Sequence, residues 1–133
     1  MLIMLHHYFG AKAVHNLSTD TIYIALYNGN ASLGPDTTVY TSSNEVVASG
    51  YTAGGRALTG VSISSSGYTA YVNWSNVSWT AAITARCALI YNVTQGNKSI
   101  AVIDFGADKT STTTFTITMP ANTATTALIR SSN

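Results

Sequence analysis

"ARCALIYNVTQGNKSIAVIDFG", residues 85–106, contains the two clearest strand patterns of the chain and the turn between them. In its first half, Ala85, Cys87, Leu89 and Tyr91 alternate with the residues between them, and this period of two is typical of a β-strand. The polar stretch "TQGNK" then provides turn residues before the second apolar run, "SIAVIDFG". The sequence therefore predicts an antiparallel hairpin.

Similar alternating stretches flank this hairpin on both sides. They include "TIYIALY" (21–27), "YTAYVNW" (68–74) and "TTTFTITMP" (112–120), which stops at a proline. Short strands separated by Gly, Asn and Pro turns favour an all-β fold, an antiparallel β-sandwich of jelly-roll or Ig-like type with seven to eight strands. The length of 133 residues suits one domain, which we place at residues 17–133.

The charge and the cysteine content exclude several classes of function. Charged residues make up 8% of the chain and the net charge is +1, so we expect neither a nucleic-acid nor a membrane partner. The apolar opening is too short for a signal peptide or a membrane span, which predicts a cytosolic origin. Cys87 is the only cysteine, so a disulfide within the chain is excluded and a buried thiol is expected.

Groups suited to catalysis are few. His6, His7 and His15 are the only histidines, and without nearby carboxylates they do not predict a metal site. Asp104 and Asp108 could serve as the carboxylate pair of a small hydrolase, but the polar stretch "GADKTS" favours a turn in which Asp108 accepts backbone hydrogen bonds. We expect no enzyme, no cofactor and no metal.

The glycine-rich stretch "GYTAGG" (50–55) raises the alternative of a phosphate-binding loop. It lacks the lysine and the helix start that such a loop requires, so a turn between sheets is favoured.

Aromatic side chains allow two interpretations. Trp74 and Trp79 are expected to anchor the core, and Arg86 and Arg130 to face outward or into a subunit contact. Alternatively, exposed aromatic rings could stack on sugars, and the candidates for such a platform are Tyr40, Tyr51, Tyr68, Tyr71 and the two tryptophans.

Four segments in the same order, "TDTIYIALYN", "NEVVASGYTAGGRALTG", "VSWTAAITARCALIYN" and "IAVIDFGADKTSTTTFTI", resemble small structural proteins of tailed bacteriophages. The resemblance covers residues 17–117. It implies a virion protein assembled in the host cytoplasm, most of all a capsid decoration or cement protein. The implied partners are the major capsid protein and further copies of the chain, such as a trimer. The alternative that it implies is a tail or fibre adhesin for host-surface carbohydrate.

Residues 1–16 do not fit the sandwich pattern. They are compatible with a short helix and carry a density of apolar side chains that a free tail would not keep in water, namely Leu2, Ile3, Leu5, Tyr8 and Phe9. The segment either caps its own sandwich or packs against a neighbouring subunit or the capsid. The second alternative is favoured because it suits a protein that joins others, and it makes these residues a docking surface.

Overall fold

The computed structural model describes residues 2–5 and 15–132, and their regular structure consists of antiparallel β-strands without a helix. The prediction of an all-β antiparallel fold is therefore confirmed. The strands are β1 (Leu2–Leu5), β2 (Ile22–Tyr27), β3 (Arg56–Ala57), β4 (Ser62–Ser66), β5 (Thr69–Asn73), β6 (Val77–Trp79), β7 (Thr84–Asn92), β8 (Lys98–Thr110), β9 (Phe115–Ile117) and β10 (Ile129–Ser132).

The strands form one large sheet and two small ones. The large sheet has five strands in the order β1-β8-β7-β2-β3. The small sheets are β10-β5-β4, with three strands, and the pair β6-β9. Strands that are distant in sequence are neighbours in these sheets, so long-range pairing holds the fold together.

The predicted hairpin of residues 85–106 forms the centre of the large sheet. Leu89 pairs with Val102, and Ala88 pairs with Ile103. The register shifts at the base of the hairpin, where Ala85 pairs with Lys109 but Cys87 pairs with Asp104. One residue of β7 therefore faces four residues of β8, and residues 105–108 bulge out of the ladder.

Both faces of the large sheet are buried at its centre, in β2, the second half of β7 and the first half of β8, because these strands alternate between two apolar clusters. The main core lies between this sheet and the two small sheets, and it includes Ile24, Ile90, Ile103, Val72, Trp74, Trp79, Phe115 and Ile129. The second cluster includes Ala25, Tyr27, Leu89, Tyr91 and Val102, and the partly buried Leu33 and Tyr40 pack against it. The central strands thus lack the polar face that a two-layer sandwich usually exposes.

The structure has ten strands in its described part, where the sequence predicts seven to eight. The stretch "RALTGVSIS" is divided because Gly60 has a φ of +65° and passes against Ser75, which ends one strand and separates it from the next. A further alternating stretch, "TTVYT" (37–41), forms no strand, and within it Val39 makes an isolated bridge to Lys98. The predicted N-terminal helix lies mostly outside the described residues.

Candidate functional site

The structure describes only some of the predicted docking residues. Leu2, Ile3 and Leu5 belong to β1, whose backbone pairs with Ala101 to Asp104 of β8. Tyr8 and Phe9 lie outside the described residues. The segment begins as an edge strand of its own domain, and the docking surface stays a prediction.

Both tryptophans are buried. The exposed fraction is 5% for Trp74 and 3% for Trp79. The ring of Trp79 lies 5.8 Å from that of Tyr51 and 6.3 Å from that of Phe115, measured between centroids. Trp79 therefore joins the β6-β9 pair to the glycine-rich segment.

The glycine-rich stretch 50–55 is a turn that presses against the large sheet. Gly50, Gly54 and Gly55 all have positive φ values, of 92°, 98° and 84°. The point where a β-carbon would stand at Gly55 is 1.8 Å from the carbonyl oxygen of Ile24, and at Gly50 it is 2.2 Å from that of Thr80. Only glycine permits such an approach, so these residues serve close backbone packing.

A buried carboxylate, Glu45, holds this turn in place. Its side chain is 6% exposed. Oε1 accepts a hydrogen bond from the Tyr40 hydroxyl at 2.6 Å, and Oε2 accepts one from the Tyr51 hydroxyl at 2.6 Å and one from the Gly54 amide at 2.8 Å. The hydroxyl of Tyr91 donates to the Gly54 carbonyl at 2.6 Å. The two carboxylate oxygens are thus engaged by groups of the protein itself.

The tyrosines around Glu45 hold their protons strongly. Burial, and after it the charge of Glu45, raise the pKa of Tyr91 to about 12. Burial also raises the pKa of Tyr27, Tyr40 and Tyr51, and the last two are raised again by their hydrogen bonds to Glu45. A proton on each hydroxyl is what lets Tyr40 and Tyr51 donate to the carboxylate.

The two aspartates considered for catalysis have different surroundings. Asp104 accepts a hydrogen bond from the Gly106 amide at 2.8 Å and forms an ion pair with Arg86 at 3.4 Å. The hydrogen bond from the Gly106 amide, and after it the contact with Arg86, holds the pKa of Asp104 below its usual value. Asp108 is exposed in the bulge of β8, near Gly29. The ion pair of Asp104 with Arg86 is half exposed, as surface pairs are, and it stabilises the base of the bulge.

The sequence did not point to a second polar cluster, formed by His15, Asp20, Asn92 and Gln95. The Asn92 side chain is fully buried, and its amide nitrogen donates to Asp20 Oδ2 at 2.8 Å and to His15 Nδ1 at 3.0 Å. Gln95 also donates to Asp20 Oδ2, at 3.3 Å. The hydrogen bond from Asn92 holds the pKa of Asp20 below its usual value. The cluster ties the start of the domain to the β7-β8 turn.

A metal site is not formed by the residues that the structure describes, since no three His, Cys, Asp or Glu side chains among them come together. His6 and His7 lie outside that part of the chain. The expected burial of Cys87 is only half right: its thiol is partly exposed, and burial together with the nearby Asp104 raises its pKa.

The six aromatic residues considered for sugar binding do not form one surface. Tyr51, Trp74 and Trp79 are buried, and Tyr40 stacks on Tyr91 with centroids 4.9 Å apart. Tyr68 is 82% exposed, at the turn between β4 and β5. The aromatic candidates thus serve mainly the core.

An open groove lies between the bulge of β8 and strand β9. Its volume is about 490 Å³. Phe105 and Phe115 form its apolar part, with ring centroids 6.4 Å apart, and Lys109, Thr114 and Thr116 add polar groups to its lining.

No known protein family, curated protein or solved structure matches this chain. Across the described residues, no helical segment has the length and apolar character needed to cross a membrane. What the described residues define is an all-β protein in which two polar clusters, around Glu45 and Asn92, hold turns and strands of the chain itself.

Proposed function

We propose that this chain is a non-enzymatic structural protein of a tailed-bacteriophage virion, which binds the head shell as a decoration or cement protein. The observation that carries the proposal is the position in the fold of the four segments that resemble such proteins. They contain β2, the Glu45 turn, β6, β7, most of β8 and β9, which is most of the core of the fold.

The polar residues within those segments support a scaffold role. Glu45 is held by Tyr40, Tyr51 and the Gly54 amide, while Asp104 is held by Arg86 and Gly106. A general acid or base needs a free position within hydrogen-bond reach of a substrate. Glu45 offers no such position, because both of its oxygens bind the chain's own donors. Asp104 is engaged through Oδ1 alone, so Glu45 carries the support for a scaffold role.

The test is imaging of the virions that contain this chain, at a resolution where side chains can be traced. We expect copies of the chain on the outer head surface, in contact with the major capsid protein. A second measurement compares the thermal rupture of heads with and without the chain, since a cement protein raises the rupture temperature and added purified protein restores it. Density restricted to the tail, or heads equally stable without the chain, would contradict the proposal.

The groove beside β9 favours a second candidate, a tail or fibre adhesin that binds carbohydrate. An aromatic ring that can stack on a sugar and a hydroxyl group that can bind its oxygens are both present there, in Phe105 and Thr116. A glycan array with purified protein tests it. Glycan binding that is lost in Phe105→Ala would favour the adhesin, and an array on which the protein binds no glycan would rule out this candidate.

A further inference from the structure

The outer edge of β4 is unpaired. β4 is the last strand of the sheet β10-β5-β4, and it pairs only with β5, from Ser62 opposite Asn73 to Ser66 opposite Thr69. Within residues 2–5 and 15–132, no strand covers its other side. Such an edge presents a row of backbone N–H and C=O groups that can pair with another strand.

The β4-β5 hairpin extends beyond the core. All five residues of β4 are exposed, and so are Tyr68 and Ala70. Burial begins only at Val72 and Asn73, near the end of β5. The body of the domain reaches β4 at its first residue, where the Asn122 side chain donates a hydrogen bond to Ser62 Oγ at 3.0 Å. Another strand can approach the edge along the residues that follow.

The hairpin also lacks the features that usually prevent edge pairing. Natural edge strands are protected by charges, prolines or bulges. No charged residue occurs between Arg56 and Arg86, β4 contains no proline, and its pairing with β5 has an unbroken register. Of the other edge strands, β3 and β10 carry a charge, at Arg56 and Arg130, and β1, β6 and β9 carry none. β4 differs from β6 and β9 because all five of its residues are exposed.

Exposed apolar side chains concentrate at the same place. Val61 is 36% exposed, Ile63 is 53% exposed and Tyr68 is 82% exposed. They give the edge apolar surface to bury, in addition to its backbone hydrogen bonds.

We propose that the outer edge of β4 pairs antiparallel with β4 of a second copy of this chain. The three-stranded sheets of the two copies then form one sheet of order β10-β5-β4-β4-β5-β10 across a two-fold axis, a contact in which the same surface is used twice. The charge pattern selects this occupant, because two uncharged edges meet without repulsion. An acidic or basic partner would find no complementary charge on the hairpin.

The expected association is weak and concentration-dependent. Pairing of two five-residue strands falls below the roughly 1,200 Å² that stable interfaces bury. Dimers should therefore form at high protein concentration, or where copies are held close together. This pairing does not depend on a place in the virion, and purified protein suffices to test it.

The test uses opposite charges at Ser64, the middle residue of β4. In an antiparallel pair centred on this residue, Ser64 of one copy lies opposite or next to Ser64 of the other. Sedimentation equilibrium measures the association of wild type, Ser64→Lys and Ser64→Glu, and of the two variants mixed. Like charges that meet should raise the concentration for half-association by about tenfold or more. In the mixture, where opposite charges meet, the concentration for half-association should return to about the wild-type value.

The matched control is Val47→Lys, a charge at a loop residue that is 96% exposed, which should leave association unchanged. Circular dichroism confirms that each variant is folded. Amide hydrogen exchange of the wild type gives a variant-free measurement, because β4 amides should become more protected as protein concentration rises. A wild type that stays monomeric at about 0.5 mM, well above the micromolar range of ordinary specific contacts, overturns the proposal. So does association of both single variants that is as strong as that of the wild type.

Discussion

The hydroxyl group of Tyr51 donates a hydrogen bond to Oε2 of Glu45 at 2.6 Å and accepts one from the backbone amide of Leu26 at 2.9 Å. One side chain from the glycine-rich turn thus connects a buried carboxylate to the backbone of β2. Because Glu45 also accepts from Tyr40 and Gly54, its loss would leave several buried donors without a partner.

We expect Glu45→Ala to lower the free energy of unfolding by about 2 to 4 kcal/mol, since buried donors that lose a charged acceptor are costly. Urea denaturation followed by tryptophan fluorescence measures the change. Asp36→Ala removes an exposed carboxylate and should alter stability by less than about 0.5 kcal/mol. Equal effects of the two substitutions would show that the Glu45 hydrogen bonds contribute little.

Three glycine substitutions separate the stability that is lost through a steric clash from the stability that is lost through an unfavourable backbone angle. Gly55→Ala combines a positive φ with a clash against Ile24, and we expect a loss above about 3 kcal/mol or failure to fold. Gly96→Ala has a φ of +70° without a neighbour within 4 Å, so only the angle should cost, about 1 to 2 kcal/mol. Gly34→Ala has neither and should be neutral. The order of the three denaturation midpoints checks the prediction.

The alternation of apolar residues was enough to predict the antiparallel strands, because successive side chains of a strand point to opposite faces and this pattern is visible in a short stretch of sequence. It did not predict the polar clusters. Glu45 lies in an irregular loop, and its partners are placed by turns rather than by a periodic pattern. Asn92 contacts His15 across 77 positions, and neither residue has a local signature. Such contacts arise from long-range pairing of strands, and no short stretch of sequence specifies that pairing.

Alkaline pH should destabilise the fold through its buried tyrosines. Unfolded tyrosines ionise near about pH 10, whereas burial raises the pKa of Tyr91 to about 12 and also raises those of Tyr27, Tyr40 and Tyr51. Stability is therefore complete below pH 10 and falls above it, by up to about 1.4 kcal/mol per pH unit for each such group. Absorbance at 295 nm should show these tyrosines ionising together with unfolding.

Tyr91→Phe provides the control for the alkaline effect. At neutral pH it removes the hydrogen bond to Gly54 and should cost about 1 kcal/mol. Phenylalanine has no proton to lose, so the difference from wild type should shrink as the pH rises from 10 to 12. A difference that grows over this range would contradict the assigned pKa direction.

Trp79→Ala should cost about 3 to 5 kcal/mol, as truncations of large aromatic residues in cores do. The ring packs between Tyr51 and Phe115 and is 3% exposed, so the cavity would lie where the small sheets meet the turn. Chemical denaturation provides the measurement. Tyr68→Ala, at an exposed turn, should leave stability nearly unchanged. A loss below about 1 kcal/mol at Trp79 would mean that the ring is not part of the core.

Deletion of residues 1–5 tests whether the N-terminal segment belongs to its own domain or to a neighbour. Strand β1 pairs with Ala101 to Asp104, and this stretch of β8 contains the buried Val102 and Ile103. Removing β1 leaves this edge of β8 unpaired, so we expect a lower melting temperature with the β-type circular dichroism retained. If the melting temperature is unchanged while oligomer mass or virion occupancy falls, the segment acts as the docking arm that its apolar sequence predicts. The single variants Ser64→Lys and Ser64→Glu provide the comparison, since each should reduce self-association without changing the melting temperature of the dilute monomer.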